Sequence, residues 1–270
     1  MSARVAARSL PADMPAFFRH AEFELGYLCP EPDRWRDGNR QPTLKGLSDH
    51  DHSFNLEDFV LPLPPDRFTF AATQLGKPRA GDGGLRQVQD LRFAPYAIAE
   101  HMDLLTVNFT HWRKAPDRTP IERRKKKQIE QNIIYVAGTL GHFVTDIAMP
   151  LHTTVHFDGW NPAFPNPNGY DGKGVHARFE LTYVNRAIEE KDFASLVGPV
   201  RPRGPWLDAA LDYVREAHEQ VEPLYALDKA SPFGDGKEPP EAKTFVCERL
   251  AHGAAALRDF WYAAWVKSAD

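Results

Sequence analysis

The stretch TPIERRKKKQIEQNIIYVAGTLGHFVTDIAMPLH, residues 119–152, decides the fold. Thr119 is a good helix N-cap, and Pro120 suits the first helical position, where its missing N–H is not needed. From there to Met149 no proline interrupts the chain, and Pro150 stops it. Val136, Ala137, Leu140, Phe143, Val144 and Ile147 recur at the spacing of one buried helical face. The run Glu122-Arg123-Arg124-Lys125-Lys126-Lys127 is short and embedded, so it reads as a solvated first turn and not as a tail. The stretch predicts a helix from Pro120 or Ile121 to Met149, polar at its start and buried at its end.

The same periodicity returns on both sides. Phe17, Phe18, Ala21, Phe23, Leu25 and Leu28 predict a buried stripe on a helix from Pro15 to about Leu28. Leu91, Ala94, Ile98, Met102, Leu105 and Phe109 predict a helix from about Leu85 to Trp112, kinked or divided by Pro95. A further helix begins near Val175 and continues past Ala187, and two more occupy roughly Pro205 to Tyr225 and Lys243 to Val266. Phe260, Trp261 and Trp265 read as core. Proline- and glycine-rich loops separate these helices at 29–46, 61–84, 158–174 and 199–204. With no alternating strand pattern and no internal repeat, the class is all-α, one multi-helical domain over residues 1–270. Loops of such length carry function or need an anchor, and bound metals are one anchor.

Composition narrows the function classes. The chain is 42% apolar and 26% charged, ordinary values for a globular protein long enough to bury a full core. Its net charge of -4 gives no broad electrostatic grip on duplex DNA, though a site that handles one phosphate with metal charge remains open. No 18-residue apolar stretch exists to span a membrane, and MSARVAARSLPADMP lacks the apolar centre of a secretory signal. Cys29 and Cys247 have no CxxC spacing, so they are one disulfide or two core thiols.

The chemistry concentrates at the end of the long helix. His142 and Asp146, four apart, emerge on one face about a turn apart, where an imidazole and a carboxylate can hold one divalent metal. Pro150 ends the helix and frees His152 to turn back towards a neighbouring metal. His176 and Glu180 repeat the four-residue spacing. That spacing alone carries little, because His20/Glu24 and His218/Glu222 share it. The weight falls on His142, Asp146 and His152, since a carboxylate in an apolar stretch needs a partner. His156 reads as loop packing or support behind a ligand, and His101 and His111 as surface or core-edge groups. Trp35 and Trp160 fall on loops near the proposed ligands.

Residues 141–180, GHFVTDIAMPLHTTVHFDGWNPAFPNPNGYDGKGVHARFE, closely resemble the core of the bacterial zinc-dependent phospholipases C and the fungal single-strand-specific zinc nucleases. The family pattern HxxxDxxxPLH followed by HxxxE or HxxxD is present. Asp33, in CPEPDRW, stands where the family has an upstream Asp, and His52 stands where it has an upstream His, with His50 the competitor. Weaker similarity reaches LPADMP and LRDFWYAAW, so the resemblance covers most of the chain. It implies an all-α fold around three zinc ions. Asp33, His52, His142 and Asp146 would hold one Zn2+, and His152, His176 and Glu180 a second. Asp146 would bridge to a third. The family's third zinc is bound by the amino group and carbonyl of an N-terminal Trp and by a nearby His. Here no such Trp is present, and that His falls near Ala3. Either translation starts upstream, with a signal peptide and hence a secreted or periplasmic product, or the third site has been lost.

The resemblance thus implies a monomeric zinc-dependent phosphodiester hydrolase that uses a metal-activated water. Asp33 is both ligand and candidate general base, and Arg34, Arg36 or Arg178 are candidates to steady a phosphate. The HxxxE form leans towards phospholipid. Arg34 and Asp49 stand where a choline pocket wants aromatics, so single-stranded nucleic acid stands beside it. The alternative is a non-catalytic metal-binding protein that keeps the fold without the third site.

Overall fold

Helices carry the core of the computed structural model, which describes residues 1–36 and 38–270. They are α1 (Ser2–Arg8), α2 (Glu22–Leu28), α3 (Ala94–Lys114), α4 (Pro120–Ala148), α5 (residues 175–187), α6 (Trp206–His218), α7 (Val221–Ala230) and α8 (Pro240–Lys267). Shorter helices such as Pro42–Ser48 and Arg67–Gln74 lie within the loops. Among the described residues there is no strand, only isolated bridges between Pro78 and Leu85 and between Phe157 and Gly159. The all-α class read from the sequence is the observed one, and no helix is long and apolar enough to cross a membrane.

The long helix α4 forms for the reasons visible in its sequence. Thr119 Oγ1 accepts the Glu122 N–H at 3.2 Å while the Glu122 carboxylate accepts the Thr119 N–H at 2.8 Å, a reciprocal cap on donors that the helix leaves free. The basic run that follows is mostly exposed, and burial begins at Ile133. From Ala137 to Phe143 every residue is buried, because α2, α3 and α8 all pack on this half. Close approach is built in by glycine. A Cβ at Gly138 would stand 2.4 Å from the Leu28 Cβ, and one at Gly253 would stand 2.9 Å from the Ala148 Cβ. The packed helices are also tied by polar contacts: Trp261 Nε1 donates to the Ala137 carbonyl at 3.1 Å, and Tyr213 Oη to the Val144 carbonyl at 3.0 Å. Both recipients sit in the last turns of α4, just where its ligands emerge.

Three boundaries differ from the sequence reading. The helix expected over Pro15–Leu28 is broken, giving Ala16–Arg19 and then α2. Phe18, Ala21 and Leu25 are buried as expected, but Phe23 is 74% exposed and stacks on Tyr27. The helix expected from Leu85 starts instead at Ala94, because Pro95 begins the first turn and does not kink a longer helix. Upstream there is only a 3-10 turn at Val88–Asp90, and the chain on either side is held by tertiary bonds: Arg86 N–H donates to the Lys77 carbonyl at 2.8 Å, and Phe93 N–H to the His50 carbonyl at 2.6 Å. The expected helix Pro205–Tyr225 is two, α6 and α7, parted at Glu219 and Gln220. Cys29 and Cys247 are separate thiols, and burial pushes the Cys29 thiol up to about 11. Phe260 and Trp261 are core, with Trp265 packed at its edge.

Candidate metal centre

Four pieces of chain converge on the buried end of α4. His142 and Asp146 lie on its last turns, and a 3-10 turn over Pro150–Thr153 swings His152 back beside them. His52 follows the 3-10 turn Asp49–Asp51, and Asp33 belongs to the short helix Glu31–Arg34. His176 and Glu180 come from α5. This run is α-helical at Val175–Ala177, π-helical over Arg178–Tyr183 and α-helical again at Val184–Ala187.

The first group is compact. His52 Nδ1 lies 2.9 Å from His142 Nε2 and 2.9 Å from Asp146 Oδ2, and His142 Nε2 lies 3.2 Å from the same oxygen. Asp33 Oδ1 stands 3.6 Å from His142 Nε2 and 4.0 Å from His52 Nδ1. Donor atoms of a tetrahedral zinc site, each about 2.1 Å from the ion, are roughly 3.4 Å apart, the middle of this range. Two ring nitrogens in contact also need a proton or a cation between them. In the second group His176 Nε2 is 3.1 Å and His152 Nε2 4.0 Å from Glu180 Oε2. In both groups, Asp33/His52/His142 and His152/His176/Glu180, one donor atom per residue falls within 4.8 Å of the others.

Neighbouring carbonyls set the tautomers that a metal needs. His152 Nδ1 donates to the His52 carbonyl at 2.7 Å, and His176 Nδ1 to the Phe157 carbonyl at 3.1 Å. Each Nε2 is thereby left with its lone pair towards the group. His152 Nε2 is buried without a hydrogen-bond partner, an orphan that a cation would satisfy. The donor set fits a divalent metal.

The charges support one another. Burial would raise the Asp146 carboxyl, but His142 and His152, with hydrogen bonds from His142 and His52, hold it far below the usual carboxylate range. Burial likewise works against protonated His152, yet Asp146 and Glu180 push it up to about 9. His142 is raised against its burial by Asp146 and Asp33, whereas burial wins at His52 and lowers it. Against desolvation, the neighbouring His152 and His176 imidazoles bring the partly exposed Glu180 down to about 2. A divalent cation would replace protons that these imidazoles otherwise hold.

Of the two competing histidines, His52 joins the group. His50 is turned away, its Nδ1 donating to the Leu91 carbonyl at 2.8 Å. The three candidate arginines separate as well. Arg36 stays at the site, 3.3 Å from Asp33 and 2.9 Å from Asp49. Arg34 pairs with Glu31, and Arg178 binds buried Asp228 through two bonds of 2.8 and 2.9 Å. His156 packs: its ring stacks on Trp160 with centroids 3.9 Å apart, and its Nδ1 accepts the Asn161 N–H at 2.9 Å. Burial takes it down to about 4.

The groups open into a cavity of about 900 Å³ whose floor includes His52, His152 and His176. One wall carries Arg79, Asp90 and Arg92, of which the last two fall in a segment that the sequence reading placed in a helix. Behind Asp146 and Glu180 lies a smaller space of about 220 Å³, bordered by Met1, Ala3 and Cys29. Ala3 brings no side-chain donor to it. No protein-family model matches the chain, and no curated protein matches it.

Proposed function

We propose that this protein is a zinc-dependent phosphodiester hydrolase, acting on a phospholipid or on single-stranded nucleic acid. The observation that carries the reading is that two His/carboxylate groups, assembled from positions as distant in sequence as Asp33 and Glu180, present His52, His152 and His176 to one cavity. The resemblance of residues 141–180 to the zinc phospholipases and nucleases supports it. Nitrogen and oxygen donors of this kind suit zinc. Bound metal supplies Lewis-acid charge to a phosphoryl group and lowers the pKa of a water towards neutrality.

The protein's own groups do the rest. His52, His142 and Asp146 are buried and mutually bonded, so they hold their positions without reorganising. Asp33, 55% exposed and 3.6 Å from His142 Nε2, is the candidate to accept a proton from an attacking water, and Arg36, which lines the cavity, pairs with its carboxylate. The test is elemental analysis of purified protein beside Asp146→Ala, with hydrolysis of bis(p-nitrophenyl) phosphate before and after chelation. Two or more zinc per chain, lost in the variant, and chelator-sensitive hydrolysis are expected. One metal or none, unchanged in Asp146→Ala, removes the reading.

The donorless Ala3 beside the space behind Asp146 favours a second reading, a metal-binding protein that does not catalyse. Full metal content without hydrolysis of any phosphodiester would select it.

A further inference from the structure

Three guanidinium groups line the large cavity, and two are already matched. Arg36 pairs with Asp33 and Asp49, and Arg79 with Asp82 at 2.7 Å and Asp90 at 3.2 Å. Arg92 has no carboxylate within 4.0 Å among the described residues. Its Nη1 donates to the carbonyls of Gln89 and Leu91, both at 2.7 Å, which fixes the plane of the fork. Its remaining donors have no acceptor among the described residues. A half-buried cation in this state calls for an anion.

Its position is equally defined. Phe93 N–H donates to the His50 carbonyl, His50 Nδ1 to the Leu91 carbonyl, and Ala94 N–H to the Ser53 carbonyl at 3.3 Å. The backbone of Arg92 is thereby clamped beside the segment that carries His52. Yet the carboxylates that act on it are Asp90, Asp58 and Asp49, none of which belongs to the two metal-binding groups. Arg92 shares the cavity with those groups but stands back from them.

We propose that Arg92 binds a second phosphate of the substrate, next to the one held for hydrolysis, and that the substrate is therefore a nucleic-acid strand. This rests on the phosphodiesterase reading. A strand supplies phosphates at regular intervals, whereas a phospholipid needs an apolar wall for its acyl chains. Polar side chains such as Asp49, Asn55, Arg79 and Gln89 outnumber the larger apolar ones in this lining, Leu151, Val155 and Phe157. Phe157, 59% exposed beside His176, offers a ring face to a base.

The test uses the metal-loaded full chain and a phosphorothioate-linked thymidine dinucleotide, with and without a terminal phosphate. The wild type should bind the phosphorylated form about tenfold more tightly, Arg92→Lys, which keeps the charge without the fork, should keep only part of that preference, and Arg92→Gln should erase it. An unchanged thermal midpoint shows that each variant is folded. Absence of preference in the wild type, or equal weakening of both probes in Arg92→Gln, overturns the proposal. So does Arg92-dependent binding to anionic lipid vesicles with no preference between the dinucleotides. Failure of the wild type to hydrolyse bis(p-nitrophenyl) phosphate, with the dinucleotide preference intact, would instead count against the phosphodiesterase reading alone.

Discussion

The two ligand groups use the same side-chain types but are held differently. His142 and Asp146 are rooted in the half of α4 on which α2, α3 and α8 pack, and buried His52 is in contact with both. His176 and Glu180 are partly exposed, on a run that starts only after the loop 158–174. One group takes its geometry from a helix core and the other from a loop end. Pre-organised ligands bind without an ordering cost, so the first should hold metal firmly and the second should exchange.

The largest effect should come from Asp146→Ala, which removes the carboxylate that both histidines of the first group bond. Breaking a buried charged cluster costs about 3–5 kcal/mol, which for a chain of this size lowers the thermal midpoint by roughly 10 °C. Elemental analysis should find both metals gone, and retention of one would break the comparison by making the groups independent. His176→Ala is expected to lose a single metal per chain on dialysis, with a midpoint within a few degrees of wild type. Loss of both there would mean that the loop-held group is not the weaker. Gly138→Ala should lower the midpoint by several degrees, since overpacking costs about 1–3 kcal/mol and exceeds the gain from a helical alanine. If the first group depends on that packing, its metal should also be released at lower chelator concentration.

The smallest effect concerns pH. His156 is depressed to about 4, below its ordinary value near 6.5, so the folded state prefers the neutral ring. Its contribution is present above the unfolded value and is lost as pH falls towards 4. Metal-free His156→Gln should therefore lose less stability than wild type between pH 6.5 and 4 in urea titrations. Equal slopes would mean that the ring is not held neutral.

How much of this was legible in the sequence depends on how local the cause was. Both ends of α4 follow from Thr119, Pro120 and Pro150, and its buried half from the apolar spacing, so they read correctly. His142 and Asp146 share a face by helical geometry alone. The start of α3 did not read, because Leu91 fits the helical period of Ala94 and Ile98 while its backbone is extended and its carbonyl is bonded across space to His50. His50 and His52 differ only in what they meet across space, the Leu91 carbonyl for one and Asp146 for the other. Arg92 offered no signal at all, since its lack of a partner exists only once the cavity wall has formed.

The π turn at Arg178–Tyr183 bears on how this region tolerates changes in length. In a regular α-helix residues three apart share a face, which would turn Glu180 and Tyr183 the same way. The wider turn separates them, so Glu180 reaches His176 and the smaller space behind it while Tyr183 is 3% exposed in the core. What is encoded there is one surplus residue, independent of which residue it is. Deleting Leu181, itself 56% exposed, would take out no buried side chain, and with the turn rewound Glu180 and Tyr183 would stand two residues apart, still on different faces.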